Sequence, residues 1–267
     1  MNSMRLGPLP PSLPALLLAT LALAPPATAR ALSQEETDRA IRNVDEMERA
    51  AGDYKALVYI EAKERDKTDV VYELLAYRRS QEQKLLFLFL EPKTEAGKGY
   101  LRIDKNLWFY DPRVGRWERR TERERIGGTD TRRGDLDESR LAEEYTARWE
   151  ADEKLGKFDV HRILLTARPG VDVAFPSVRL WVNRESGVIM KRQDMALSGR
   201  LMRTSYYPRW KRVHSESKKG DVWFPEEMRI YDEVEKANQT LMLVKSVDLR
   251  PLDPNLFTKA WLESKSR

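Results

Sequence analysis

The pattern of apolar and polar positions changes once along the chain, near residue 53. Before that point, over 34–51, apolar residues recur at helical spacing, as Ala40, Ile41, Val44, Met47 and Ala51. The segment opens with Ser33 and Glu36, which have the residue types and spacing of a capping box. The sequence therefore predicts an amphipathic helix over 34–51 whose apolar stripe lies on another surface.

After residue 53 the period becomes two, which is typical of strands with one apolar and one polar face. Short apolar runs are separated by polar turns such as Asp66-Lys67-Thr68-Asp69 and Glu185-Ser186-Gly187. Helical segments do not alternate with these runs, so a parallel βαβ fold is not indicated. We predict one antiparallel meander of roughly ten strands, with a short helical turn in 255–262 at its end.

The run Leu85–Leu90, with sequence LLFLFL, is apolar at every position. Because successive side chains of a strand point to opposite faces, both faces of this strand must be covered. A sheet that curls around an apolar cavity, with a helix across its mouth, meets this requirement and can hold one apolar ligand. An ordinary filled barrel core is the alternative.

Residues 1–31 have the pattern of a secretory signal peptide. Arg5 precedes an apolar core, Ala15–Ala24, and both Ala27-Thr28-Ala29 and Ala29-Arg30-Ala31 fit the small-residue cleavage pattern. The apolar core is too short to span a bilayer comfortably; an uncleaved N-terminal anchor is the alternative. We expect the mature protein to be soluble and to lie outside the cytoplasm. The chain contains no cysteine, so we expect neither a disulfide nor an acylated N-terminal cysteine, and the protein is not itself a lipoprotein.

The sequence contains no recognisable catalytic or cofactor-binding motif. Its two histidines, His161 and His214, are far apart in the chain. We therefore expect a protein that is not an enzyme and that uses no cofactor and no metal. The formal net charge of +5 comes from mixed acids and bases, which favours weak attraction to anionic membranes or acidic partners over nucleic-acid binding. The very polar segment 121–138 is predicted to be a long loop or lid.

Short motifs follow one another in a fixed order along the chain: Phe89-Leu90-Glu91-Pro92, Gly97 with Gly99, Leu107–Pro112, Gly128-Thr129-Asp130, Val178–Val182, Trp223-Phe224-Pro225 and Asn255–Thr258. This ordered set resembles the LolA-like outer-membrane lipoprotein-sorting family. The resemblance implies an incomplete barrel with helices as a lid, which binds lipoprotein acyl chains or another envelope lipid. It also implies a carrier without enzymatic activity or cofactor. The charged segment 116–140 departs from the family pattern and indicates a different or more electrostatic partner contact.

We therefore predict one mainly β domain over 32–267. Its fold class is a single curved antiparallel sheet forming an incomplete β-barrel around an apolar cavity, covered by one or two helices and a polar loop. The hypothesised lid elements are helix 34–51 and loop 121–138. The predicted cavity-lining residues are Leu74, Ala76, Leu86, Leu88, Leu90, Leu101, Trp108, Tyr110, Leu180, Val182, Met195 and Leu197. A one-residue slip in any strand exchanges its two faces.

The predicted function is a monomeric periplasmic carrier that takes acyl chains from an inner-membrane transporter toward the outer membrane. The alternative is an envelope sensor or an accessory subunit of a transporter that uses the same fold for protein contacts. A protein-contact role predicts an exposed apolar patch instead of an enclosed cavity.

Overall fold

Thirteen antiparallel strands form one sheet in the part of the chain that the computed structural model describes, which is residue 1 and residues 31–103, 106–120, 126–127, 129, 139–216 and 218–266. The predicted signal peptide lies outside these residues except for Met1 and Ala31, and so does most of the predicted loop 121–138. The strands are β1 Asp53–Lys63, β2 Val70–Arg79, β3 Lys84–Glu91, β4 Gly99–Ile103, β5 Asn106–Asp111, β6 Arg116–Arg120, β7 Tyr145–Leu155, β8 Phe158–Ala167, β9 Ser177–Asn183, β10 Ile189–Met195, β11 Leu201–Ser215, β12 Gly220–Asp232 and β13 Gln239–Asp248.

Strand order in the sheet is β6-β5-β4-β3-β2-β1-β13-β12-β11-β10-β9-β8-β7. Consecutive strands pair as hairpins within each half, and the pairing of β1 with β13 joins the two halves. The sheet is not closed, because β6 and β7 are its two edges. The predicted fold class, an open curved antiparallel sheet with helices, is therefore confirmed.

Helix α1, Gln34–Ala50, begins at the predicted capping box. The Ser33 N–H donates to Glu36 Oε2 at 2.7 Å, and the Glu36 N–H donates to Ser33 Oγ at 3.2 Å. Ile41 and Val44 of its apolar stripe are buried against β7, β8 and β9. The helix ends one residue earlier than predicted. No helix among the described residues is long and apolar enough to cross a membrane.

A buried carboxylate fastens α1 to the short helix α2, Leu141–Glu144. Asp45 is 2% exposed and accepts the backbone N–H groups of Leu141 and Ala142 at 2.9 Å each. Its Oδ1 also accepts the Ser139 hydroxyl at 2.6 Å. Because these donors lie at the start of α2, one side chain satisfies helix N–H groups that have no partner within the helix. Helix α1 is thus held in place beside the sheet.

The two faces of β3 are covered by different elements, as its continuous apolar sequence requires. Leu85, Phe87 and Phe89 pack in a cluster with β1 and β2. Leu86 and Leu88 pack on the opposite face with residues of the C-terminal segment, which forms a 3-10 turn, Pro254–Leu256, and helix α3, Lys259–Lys265. The sequence indicated only a helical turn there, in 255–262, and the helix extends further.

Close contact between α3 and the sheet depends on Gly99. A Cβ at this position would lie 2.8 Å from Leu262 Cδ1 and 2.5 Å from the carbonyl oxygen of Phe87. Leu262 is fully buried, and the Nζ of Lys259 lies 4.0 Å from the ring centroid of Trp108. Helix α3 therefore covers the outer face of β3, β4 and β5.

Two strand predictions differ from the structure. Strand β6, with the sequence RWERR, was not predicted, and it pairs with β5 from Arg116 to Arg120. The sequence predicted a strand over 200–206, which corresponds to the first part of β11. The strand instead continues to Ser215, with register shifts beside Arg209 that accommodate Pro208.

Candidate functional site

A cavity of about 670 Å³ lies on one face of the sheet, which we call the cavity face. Strands from both halves of the sheet line it, together with α1, α2 and the described part of the loop before α2. The cavity has an apolar wall at one side and a polar end at the other.

The apolar wall follows alternate residues of the central strands. Its members are Ala56, Val58, Ile60, Leu74, Ala76, Leu85, Phe87, Met242 and Val244. The small side chains of Ala56 and Ala76 face each other across β1 and β2, and Ala76 is also opposite Phe87 in β3. The other positions of this row hold larger apolar side chains. The two neighbouring alanines therefore leave space next to the sheet. This space is part of the cavity.

A row of facing residues that includes two arginines crosses the strands at one edge of this wall. Arg78 is directly opposite Tyr54 on one side and Leu85 on the other, and Leu85 is opposite Arg102. All four residues line the cavity. Arg102 is only 6% exposed, which is unusual for an arginine in a strand. Basic groups therefore border the aliphatic surface.

The polar end is built on β10 and β11 around Asp194. Asp194 is fully buried and accepts Arg192 Nε on Oδ1 at 2.7 Å and Arg203 Nε on Oδ2 at 2.8 Å. The Arg203 guanidinium also lies 5.1 Å from the ring centroid of Phe175. Both arginines line the cavity, so one carboxylate fixes two guanidinium groups beside the open space.

The surroundings of the polar end shift three pKa values. Glu48 of α1 is accessible from the cavity, but the enclosing protein raises the pKa of its carboxyl, against the opposing charge of Arg192. Burial opposes the charge of Arg192, but the negative charge of Asp194 outweighs it and raises the pKa of the guanidinium. Burial raises the pKa of Tyr145 to about 12, and its hydroxyl donates to the Phe175 carbonyl at 3.0 Å. Arg192 is therefore charged and Tyr145 neutral at physiological pH.

Three described residues of the predicted lid loop lie against the cavity face. Ile126 is 4% exposed and belongs to the apolar cluster of β1, β2 and β3. The Tyr72 hydroxyl donates to the Gly127 carbonyl at 2.7 Å, and the Gly127 N–H donates to the Tyr100 hydroxyl at 3.2 Å. Ile126 and Thr129 line the cavity. The remainder of 121–138 lies outside the described residues.

Among the described residues, no group of three or more His, Asp or Glu side chains is arranged to hold a metal ion.

The chain also matches known proteins. A family model described as that of an uncharacterized protein matches residues 81–264, which is more than half of the chain. The chain belongs to this family. No curated protein sequence matches it.

Solved structures share the fold of this family member. A LolA superfamily protein from Nitrosomonas europaea has a TM-score of 0.68 at 21% identity, over 84% of this chain and 98% of its own. A candidate outer membrane lipoprotein-sorting protein domain from Vibrio parahaemolyticus has a TM-score of 0.72 at 17% identity, over 86% and 100%. A DUF1329 family protein from Desulfovibrio piger has a TM-score of 0.75 at 15% identity, over 86% and 98%. The resemblance to LolA-like proteins is confirmed at the level of the fold.

Two of the twelve predicted lining residues, Leu74 and Ala76, lie on the cavity wall of this LolA-like sheet. Leu180 and Val182 are buried beneath α1, in the apolar cluster that adjoins the polar end. Met195 is buried at the end of β10, and Leu197 is 91% exposed in the following turn.

The other six lie on the face opposite the cavity, in the region that α3 covers. They are Leu86, Leu88, Leu90, Leu101, Trp108 and Tyr110. Their placement on the cavity wall is corrected, because α3 and the 3-10 turn occupy the face of β3, β4 and β5 to which they belong. That the wall residues bind a ligand stays a prediction.

Sequence reasoning missed three groups of lining residues. They are the β3 residues that point to the cavity face, the lining residues of β1 and β13, and the arginines. Val58 and Ile60 belong to an alternating run, and Leu85 and Phe87 to the continuous apolar run, that the sequence did show. The arginines also left a signal: Arg78 and Arg102 occupy cavity-face positions in largely apolar strands, and Arg192 occupies one in the mixed strand β10. An arginine at such a position is a candidate site residue, because burying its charge is costly without a partner.

Proposed function

We propose that the protein is a periplasmic carrier that binds acyl chains of lipoproteins or other envelope lipids in this cavity and moves them toward the outer membrane. The observation that carries the proposal is the apolar wall of a 670 Å³ cavity inside an open LolA-like sheet. Pockets for small molecules typically measure about 300–1,000 Å³. The cavity therefore has the volume and the surface that an acyl chain needs.

Burial of an acyl chain on this wall supplies the binding energy. Each methylene group removed from water contributes about 0.8 kcal/mol, so ten contribute about 8 kcal/mol before the costs of association. A carrier needs no reacting group, and we propose no catalytic step and no cofactor. The periplasmic location rests on the predicted signal peptide at 1–31, and we propose that an inner-membrane transporter loads the protein, as the LolA-like resemblance implies.

The alternative role as a sensor or accessory subunit is less well supported by the surface. The large apolar side chains that are exposed, among the described residues after Ala31, are Val70, Val71, Val114, Leu197 and Val234. Only Val70 and Val71 are neighbours in the chain. The apolar surface of the cavity wall is much more continuous, which favours a ligand inside the protein.

Titration of the delipidated protein with a fluorescent fatty acid tests the proposal. We expect saturable binding of about one chain per protein and competition by unlabelled acyl lipids. A vesicle assay then measures transfer, and we expect the protein to accelerate lipid movement between donor and acceptor membranes. Failure to bind any acyl lipid would overturn the proposed function.

A further inference from the structure

The guanidinium of Arg192 faces the cavity with donors that no other described residue engages. Its Nε donates to Asp194 Oδ1 at 2.7 Å, but Nη1 and Nη2 make no hydrogen bond to any other residue that the structure describes. The side chain is 23% exposed and lines the cavity. A guanidinium offers five N–H donors in a planar fork, which matches a carboxylate or a phosphate.

The charge at this end of the cavity is not balanced by Asp194 alone. Its single negative charge is shared by Arg192 and Arg203, because each of its oxygens accepts from one of the two guanidinium groups. Glu48 also lies close to Arg192, and the enclosing protein raises the pKa of its carboxyl.

Two further carboxylates of the lining, Glu226 and Glu227, are engaged by other basic residues. Glu227 forms ion pairs with Arg209 at 2.7 Å and Arg229 at 2.6 Å. Glu226 lies 4.0 Å from both Arg209 and Lys211. These pairs belong to β11 and β12, and they leave the guanidinium of Arg192 directed at the cavity.

Hydroxyl groups and the apolar wall complete an amphipathic enclosure. Ser205 is directly opposite Arg192 in the β10–β11 ladder, and both Ser205 and Tyr207 line the cavity. The aliphatic residues of β1, β2, β3 and β13 line its other side. A ligand that fits both regions has an acyl chain and a compact group that accepts hydrogen bonds.

We propose that Arg192 is the anion-binding residue of this cavity, so that the cargo is an acyl amphiphile whose carboxylate or phosphate binds at Nη1 and Nη2. The acyl chain then lies along the wall of Ala56, Ala76 and Phe87. This inference rests on the proposed carrier function and narrows it from any acyl chain to one with an anionic group inside the cavity. Asp194 acts as a positioning residue, since it orients the guanidinium without contact to the cavity ligand.

Three probes with the same chain separate the chemistries: palmitic acid, palmitoyl lysophosphatidic acid and the neutral alcohol hexadecanol. Each is titrated into the delipidated protein by displacement of a fluorescent fatty acid. Because a hydrogen bond to a charged group is stronger than one between neutral groups, we expect the wild type to bind at least one anionic probe about tenfold to a hundredfold more tightly than the alcohol. The tighter of the two anionic probes identifies the source of the anion as a carboxylate or a phosphate.

The Arg192→Gln variant should reduce the preference for the anionic probes to less than about threefold and leave hexadecanol affinity unchanged. Arg200→Gln, in the exposed turn before β11, is the matched control and should retain the wild-type preference. Arg192→Lys keeps the charge and replaces Arg192→Gln if that variant does not fold; it should retain a reduced preference.

Equal binding of all three probes by the wild type overturns the inference while the carrier function stands. An equal loss for all three probes in Arg192→Gln also overturns it, because Arg192 is then only structural. If none of the probes binds, the carrier function itself fails.

Discussion

Replacing Ala76 with phenylalanine is expected to fill part of the cavity and weaken ligand binding. Ala76 is 5% exposed on the cavity wall, between Ala56 and Phe87 of the neighbouring strands. If the ring displaces three methylene groups of a bound acyl chain, binding loses about 2.4 kcal/mol, which is about fiftyfold in affinity. Because the ring enters existing space, the loss in stability should stay below the ~1–3 kcal/mol that overpacking costs in a filled core.

Two variants on the opposite face of the sheet provide matched controls. Leu75→Phe inserts the same ring at the adjacent position of β2, where the side chain packs toward the α3 side. It should leave affinity unchanged. Leu86→Ala removes a fully buried side chain from the same side and should lower the free energy of unfolding by about 2–5 kcal/mol without changing affinity.

Fluorescent fatty acid titration measures affinity, and urea denaturation measures the free energy of unfolding. We expect Ala76→Phe to weaken binding and Leu86→Ala to lower stability. If Leu75→Phe weakens binding while Ala76→Phe does not, the assignment of the cavity face is refuted, since the two faces of the sheet would then be reversed.

Three further predictions concern the framework of the site. Asp45→Ala leaves buried N–H donors of α2 without their acceptor and should lower the free energy of unfolding, measured in urea, by about 3 kcal/mol. Glu46→Ala, at the exposed neighbouring position, should change this free energy by less than about 0.5 kcal/mol. Equal effects of the two variants would contradict the Asp45 contact. Burial opposes ionisation of Glu150, but hydrogen-bonded arginines hold its pKa below the usual range. The stability that ionised Glu150 contributes is present above the unfolded-state pKa of about 4.3 and is lost as pH falls through the folded-state pKa. Urea titrations should therefore show that Glu150→Gln loses less stability in acid than the wild type. An unchanged dependence of stability on acid pH would contradict this. Gly99→Ala brings a Cβ within 2.8 Å of α3 and should lower the free energy of unfolding by about 1–3 kcal/mol. Gly220→Ala is the control and should not have this effect, because the nearest atom to its Cβ is 3.9 Å away. Similar melting temperatures for the two variants would refute the close contact.

Local signals in the sequence were sufficient for most of the elements. The capping box at Ser33 and Glu36 placed the start of α1, and the change to period two near residue 53 placed the start of β1. Strand β6 was missed because an edge strand with little burial, here RWERR, shows no apolar alternation. These differences arise where tertiary pairing, and not local preference, decides the conformation.

The candidate site was harder to predict because alternation separates two faces without showing which one borders the cavity. In β3 both faces are apolar, and the choice depends on α3, whose helical extent is not evident from Asn255–Leu262 alone. The polar end depends on Asp194 bringing Arg192 and Arg203 together across β10 and β11, and this pairing is a tertiary property.

Native mass spectrometry of the protein purified from the envelope compartment of its own cells, followed by lipid extraction, tests the carrier account most directly. The account predicts one bound species of acyl-lipid or acyl-peptide mass per chain, with an anionic group, and reduced occupancy in Ala76→Phe. Protein that carries no lipid and also fails to take up a fluorescent fatty acid would contradict it.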